Sequence, residues 1–190
     1  MTAVGSSLPS PPLRERRVLP AAGVVLTLVV VVIGGYVTAG ALSSPSGNPV
    51  EVAGVVTVTP LSGWELAERF ADPPTARLTR GSASLDVAAV SFGGSREELA
   101  RAYVDEVLEP QAEQLSVSEI ETVTLASGLE ASRFSYVGTF GDVQVAIEGE
   151  VTALVSPSGS AVIFDGWAPS GLLQYALDDV RTMIERAEVA

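Results

Sequence analysis

The chain has no cysteine and no histidine, and all 11 of its basic residues are arginine, so lysine is missing too. Without cysteine there is no disulfide, no thiolate nucleophile and no acylated-cysteine anchor. Without histidine the commonest general base and metal ligand is gone, and a Ser-His-Asp triad with it. Without lysine, Schiff-base chemistry, a phosphate-loop lysine and a Ser-x-x-Lys hydrolase site are excluded. Gly-x-Ser-x-Gly, Gly-x-Gly-x-x-Gly and calcium-loop patterns are absent from the sequence as well. The expectation is a protein that is not an enzyme, with no catalytic residues, no metal site and no cofactor.

Charge is also missing over one long stretch. From Val18 to Leu42 there are 25 residues without a charged side chain. About 20 apolar residues in a helix cross the roughly 30 Å hydrocarbon core of a bilayer. A helix apolar on every face over this length has no exposed side to offer water, which excludes a core helix of a soluble domain. Two readings remain. A signal peptide would use Arg14, Arg16 and Arg17 as its basic region and Ala39-Gly40-Ala41 as its cleavage site. A retained transmembrane helix fits the length better, because a signal peptide's apolar run is only about 7–15 residues. Basic residues beside a span stay on the cytoplasmic side. Residues 1–17 carry three Arg and one Glu, whereas the part after Leu42 carries eight Arg and 22 acidic residues, a net of −14. The expected localisation is therefore the cell membrane, single-pass, with the N-terminus cytoplasmic and the C-terminal domain extracytoplasmic. So acidic a domain should repel nucleic acid and anionic headgroups, since phosphate binding needs basic patches.

The organisation follows from composition. Residues 1–17 form a Pro- and Ser-rich cytoplasmic tail, 18–42 the span, 43–49 a Gly/Ser/Pro linker, and 50–190 one domain. In that domain "VEVAGVVTVTP" predicts a strand, and Trp64 to Phe70 a short helix or an extended segment closed by Asp72-Pro73-Pro74. Strands are predicted over 84–92, 115–125, 128–138, 143–155 and 161–167, the last two joined by a tight turn at "SPSGS". Ser95 begins a helix with Glu98 three residues on, a capping box, and Leu99, Tyr103, Val104, Val107 and Leu108 form its apolar stripe. A second amphipathic helix is predicted from about Ser170, burying Leu173, Ala176, Leu177, Val180, Ile184 and Ala187. The predicted class is α+β: an antiparallel sheet with helices packed on it.

That order of elements, with Pro60-Leu61-Ser62-Gly63-Trp64 after the first strand and "VIFDGWAP" before the last helix, resembles the PsbP/Mog1-like domains, including extracytoplasmic ones of actinobacteria. The resemblance covers about residues 50–189. It implies a central antiparallel sheet between helices and a role as a binding or accessory module, with a protein partner in the cell envelope, and it brings no catalytic residues.

Four residues are candidate ligand- or partner-binding groups. Trp64 and Trp167 flank turn-forming Gly and Pro and either line a ligand groove or plug the edge of the core. A groove near both would suit a carrier of a small molecule or lipid. Arg133 is expected to pair with Asp165 on the returning strand, as a surface ion pair or a pocket anchor. Glu148 and Glu150 lie about 7 Å apart on one strand face, a spacing at which paired carboxylates hydrolyse glycosides. Gln144 and Thr152 share that face, which favours a solvated surface instead.

Overall fold

Period-two alternation of apolar side chains dominates the chain from Val50 onward, and a computed structural model turns it into a sheet buried on both faces. The structure describes residues 47–141 and 145–190. The apolar segment 18–42, and Val143 and Gln144 of the predicted 143–155 strand, lie outside the described residues. No helix among the described residues is long and apolar enough to cross a membrane.

The principal sheet has eight strands. They are β3 (Glu65–Ala71), β4 (Pro74–Arg80), β5 (Ala83–Ser91), β6 (Ala112–Val117), β7 (Glu121–Thr124), β8 (Glu130–Phe140), β9 (Ile147–Val155) and β10 (Ser160–Pro169). Their order is β3-β4-β5-β10-β9-β8-β6, all antiparallel, with β7 pairing on the other half of β8. A small second sheet joins β1 (Val50–Val52), β2 (Val56–Val58) and β11 (Glu188–Val189). Helix α1 (Arg96–Tyr103) covers one face of the large sheet. Helix α2 (Leu177–Glu185) and the small sheet cover the other.

Local chemistry explains the helices. Ser95 Oγ accepts from the Glu98 amide at 3.2 Å, and Glu98 returns a carboxylate to the Ser95 amide at 2.8 Å, so two orphan donors of α1 are satisfied. The Ser95 amide and, at 3.1 Å, the Ser95 hydroxyl both donate to the Glu98 carboxylate and hold it below its ordinary pKa. The helix continues as a π turn through Val104–Leu108 and a 3-10 turn at Glu109–Gln111, where Pro110 stops it. Helix α2 lies close on β10 because Gly166 has no side chain: a Cβ there would come within 2.6 Å of Val180.

The predicted first strand is two strands. Ala53 and Gly54, at φ 54° and 69°, turn the chain back so that Val50 pairs with Val58. Trp64 to Phe70 is extended rather than helical, and β4, which the sequence reading missed, follows it as a hairpin partner. The predicted 115–125 strand splits into β6 and β7, which take the two halves of β8 as partner. The final helix begins at Leu177; the residues before it include a 3-10 turn, Leu173–Tyr175.

The two buried charge clusters and the fold they belong to

Strand register decides which face each functional side chain meets. Phe134, Val151, Asp165, Asp86 and Arg77 are successive cross-strand partners, so they form one row and face α1. Arg133 belongs to the adjacent row with Thr152 and Phe164 and faces α2. The expected Arg133–Asp165 pair therefore does not exist, because the sheet lies between them. The two indoles are divided in the same way. Trp64 is fully buried in the core beneath α2, and Trp167 lies in the core beneath α1. They cannot line one groove.

On the α1 face, Arg77 forks onto Asp86, Nε to Oδ1 at 2.7 Å and Nη2 to Oδ2 at 2.8 Å. Its guanidinium sits 5.4 Å from the ring centres of both Phe70 and Trp167, a cation–π arrangement. The Trp167 indole N–H donates to Asp86 Oδ2 at 3.3 Å. Beside it, Asp165 accepts the Tyr103 hydroxyl at 2.7 Å and the Tyr136 hydroxyl at 3.1 Å. Tyr136 reaches across β9 because the residue opposite it is Gly149, where a Cβ would collide with the tyrosine ring. Asp165 is 3% exposed. Burial pushes its pKa up to about 7 and the neighbouring Asp86 pushes the same way, against the two tyrosine donors and Arg77. Burial also raises both tyrosines well above the ordinary range, helped by the Asp165 charge. Chemically this cluster can hold one proton near neutral pH, in a place solvent barely reaches.

On the α2 face, Glu150 is 4% exposed and receives Arg181, Nε to Oε1 at 2.8 Å, with Arg133 Nε at 3.6 Å. That bonding raises the Arg181 pKa. Arg133 Nε also donates to Thr152 Oγ1 at 3.2 Å. Glu148 accepts the Leu173 amide at 2.8 Å, which fixes the turn before α2. The solvated face expected around Glu148, Glu150 and Thr152 is thus corrected: α2 covers it, and Glu150 and Thr152 are buried. Farther along, the Trp64 indole donates to Asp179 Oδ2 at 3.1 Å, and Arg80 binds the same carboxylate while lying 5.4 Å over the indole.

Of the four residues singled out by sequence, only Asp165 and Trp167 share a cluster. Arg77, Asp86, Tyr103 and Tyr136 were missed. A signal was available for Asp86, which breaks the otherwise apolar run in "SLDVAAV", whereas Arg77 falls on the polar side of "TARLT" and reads as surface. A charge at such a position needs a buried partner. Among the described residues no group of His, Cys, Asp or Glu is arranged to hold a metal ion.

No protein-family profile and no curated protein matches the chain. Solved structures do. The cyanobacterial PsbP (CyanoP) of Synechocystis sp. PCC 6803 superposes with a TM-score of 0.53 at 14% identity, covering 83% of this chain and 100% of that one. The Ran-binding protein Mog1p of Saccharomyces cerevisiae superposes at 0.51 and 14% identity, covering 77% and 96%. The domain has the PsbP/Mog1 fold. LpqN of Mycobacterium tuberculosis, described as involved in cell envelope biogenesis, superposes at 0.48 and 11% identity over 77% and 87%. Within the PsbP/Mog1 fold of this chain, the central strands β9 and β10 carry Glu150 and Asp165 toward opposite helices.

Proposed function

We propose that the protein is a binding or accessory module without catalytic activity, held by residues 18–42 as a single-pass membrane protein with its PsbP/Mog1 domain outside. The observation that carries the reading is that the charged side chains buried in the sheet are matched by the domain's own groups. Arg77 meets Asp86, Asp165 meets two tyrosines, and Glu150 meets two arginines. Apart from Arg133 Nη2, which is buried without a hydrogen-bond partner, these sets are closed and suit a rigid scaffold, whereas a reacting centre needs a group that substrate can reach. Mog1p, of the same fold, is a Ran-binding protein, which supports a protein partner here too. Because the chain has no lysine, amine-directed crosslinkers find no side chain to attack. The test is photocrosslinking from surface positions of the full chain in intact membranes. A discrete crosslinked protein from one face is expected. Equal, non-specific crosslinking from every face would count against the module. So would a hydrolytic activity lost in Glu150→Gln with the fold intact.

A further inference from the structure

Among the described residues the exposed large hydrophobic side chains are Val137, Val145, Leu172 and Tyr175, the last 74% exposed. They share one end of the large sheet. Val137 pairs with Glu148, whose carboxylate holds the Leu173 amide, and from there the segment crosses the sheet to Tyr175, whose carbonyl accepts Arg80 Nη2 of β4 at 2.9 Å. Ala146, next to Val145, accepts the Ser170 amide at 2.7 Å, which brings Val145 to the same loop. The patch therefore occupies the end of the large sheet where β8 and β10 finish and β9 begins.

The direction from which the chain enters the domain is also fixed. The β1–β2 turn lies at the other end of the large sheet: Val55 O accepts the Ala190 amide, and Ala190 O accepts Ser158 of the β9–β10 turn. Strand β1 runs toward that turn, and its Glu51 carbonyl accepts Arg69 Nη1 of β3 at 2.8 Å, so Val50 and the linker before it enter over β3, on the side away from the β9–β10 turn. Seven linker residues, 43–49, reach at most about 25 Å. Resting on the anchored reading above, we infer that Val137, Val145, Leu172 and Tyr175 form the surface with which the tethered domain settles on the bilayer.

The tether makes a small patch sufficient, because linkage turns the contact into an intramolecular event at high effective concentration. Tyrosine is a residue of the membrane–water interface, and leucine and valine partition below it. Exposed carboxylates at the same end, among them Glu65, Glu113 and Asp178, set the preference among lipids. They favour zwitterionic headgroups and are repelled by anionic ones.

The absence of cysteine permits a direct test with the full chain in phosphatidylcholine vesicles. Leu172→Cys, Tyr175→Cys and, at the opposite end in the β7–β8 turn, Ser127→Cys each carry one environment-sensitive fluorophore. Lipid-borne nitroxide should quench the first two at least twofold more than the third, and aqueous iodide should show the reverse order. Replacing a third of the lipid by phosphatidylglycerol should shrink the difference. If the chain floats with vesicles and all three labels are equally open to iodide, the anchored reading stands and the contact surface is wrong. If quenching is strongest at Ser127, the orientation is reversed and the inference falls. If the chain does not float with vesicles at all, the anchored reading fails and takes the inference with it. A Tyr175 label shielded equally with and without lipid would identify a second copy or another protein as the occupant, and would also overturn it.

Discussion

Replacing Asp165 by asparagine should flatten the dependence of stability on pH. In the folded protein this carboxyl titrates at about 7, against an ordinary value of 3.8, because burial and Asp86 disfavour its charge. Between those two values the folded state keeps a proton that the unfolded chain releases. Stability from this group is fully present below about pH 4 and is lost as pH rises through 7. At 1.36 kcal/mol per pKa unit, the roughly three-unit difference amounts to about 4 kcal/mol across the window, as an order of magnitude. Few proteins allow so clean a reading. There is no histidine and no cysteine to titrate between pH 5.5 and 8, and ordinary carboxylates have their midpoints near 4. Urea unfolding of the domain, followed by the fluorescence of its two tryptophans at pH 5.5, 6.5, 7.5 and 8.5, gives the slope. The wild type should lose stability from pH 5.5 to about 7 and level off above it. Asp165→Asn, whose amide oxygen still accepts Tyr103, should be nearly flat and the more stable of the two at pH 8.5. An Asp165→Asn variant retaining the wild-type slope would refute the assignment of the proton to this carboxyl.

Three further outcomes test the two faces. Glu150→Gln should cost about 1.5–3 kcal/mol in urea unfolding, since a buried acceptor of charged hydrogen bonds is lost; a neutral result would return the residue to a solvated surface. Trp64→Ala should cost about 3–5 kcal/mol, because a fully buried indole is removed along with its bond to Asp179. Gly149→Ala should lower the melting temperature, at a cost of about 1–3 kcal/mol for overpacking against Tyr136. It should also weaken the near-ultraviolet dichroism of the tyrosines; an unchanged spectrum would mean that Tyr136 does not lie across the glycine.

The elements themselves were largely legible. Alternation located β5, β8, β9 and β10 to within a few residues, and the capping box located α1. Two kinds of information were not. Period-two patterning tells which residues share a face but not whether anything covers it, and a polar side was read as water-facing. Here both faces are covered, so Glu150 and Thr152 are interior. Pairing across strands depends on register, and a slip of one residue sends a side chain to the opposite face. Arg133 and Asp165 are separated by that single step, since Phe134 and not Arg133 stands in the Asp165 row. The β3–β4 hairpin escaped because only Ala76 and Leu78 mark its apolar side, while Thr75, Arg77 and Thr79 read as surface. Within the site, Tyr136 and Gly149 show how a local signal can be recovered. A glycine in a strand interior marks a place where something else must fit.

The small sheet carries a consequence for the order in which the domain can form. Strand β2, near the beginning of the domain, finds one neighbour in β1 and the other in β11, at its far end. During synthesis or export the first valines of the core wait, half-covered, until the final residues arrive. Pairing between such distant segments is slow, since a long loop must close before any bond rewards it. The assembly thus resembles a clasp fastened last. A released chain truncated before Glu188 should build its large sheet while the side chains of β2 remain accessible to proteases and chaperones.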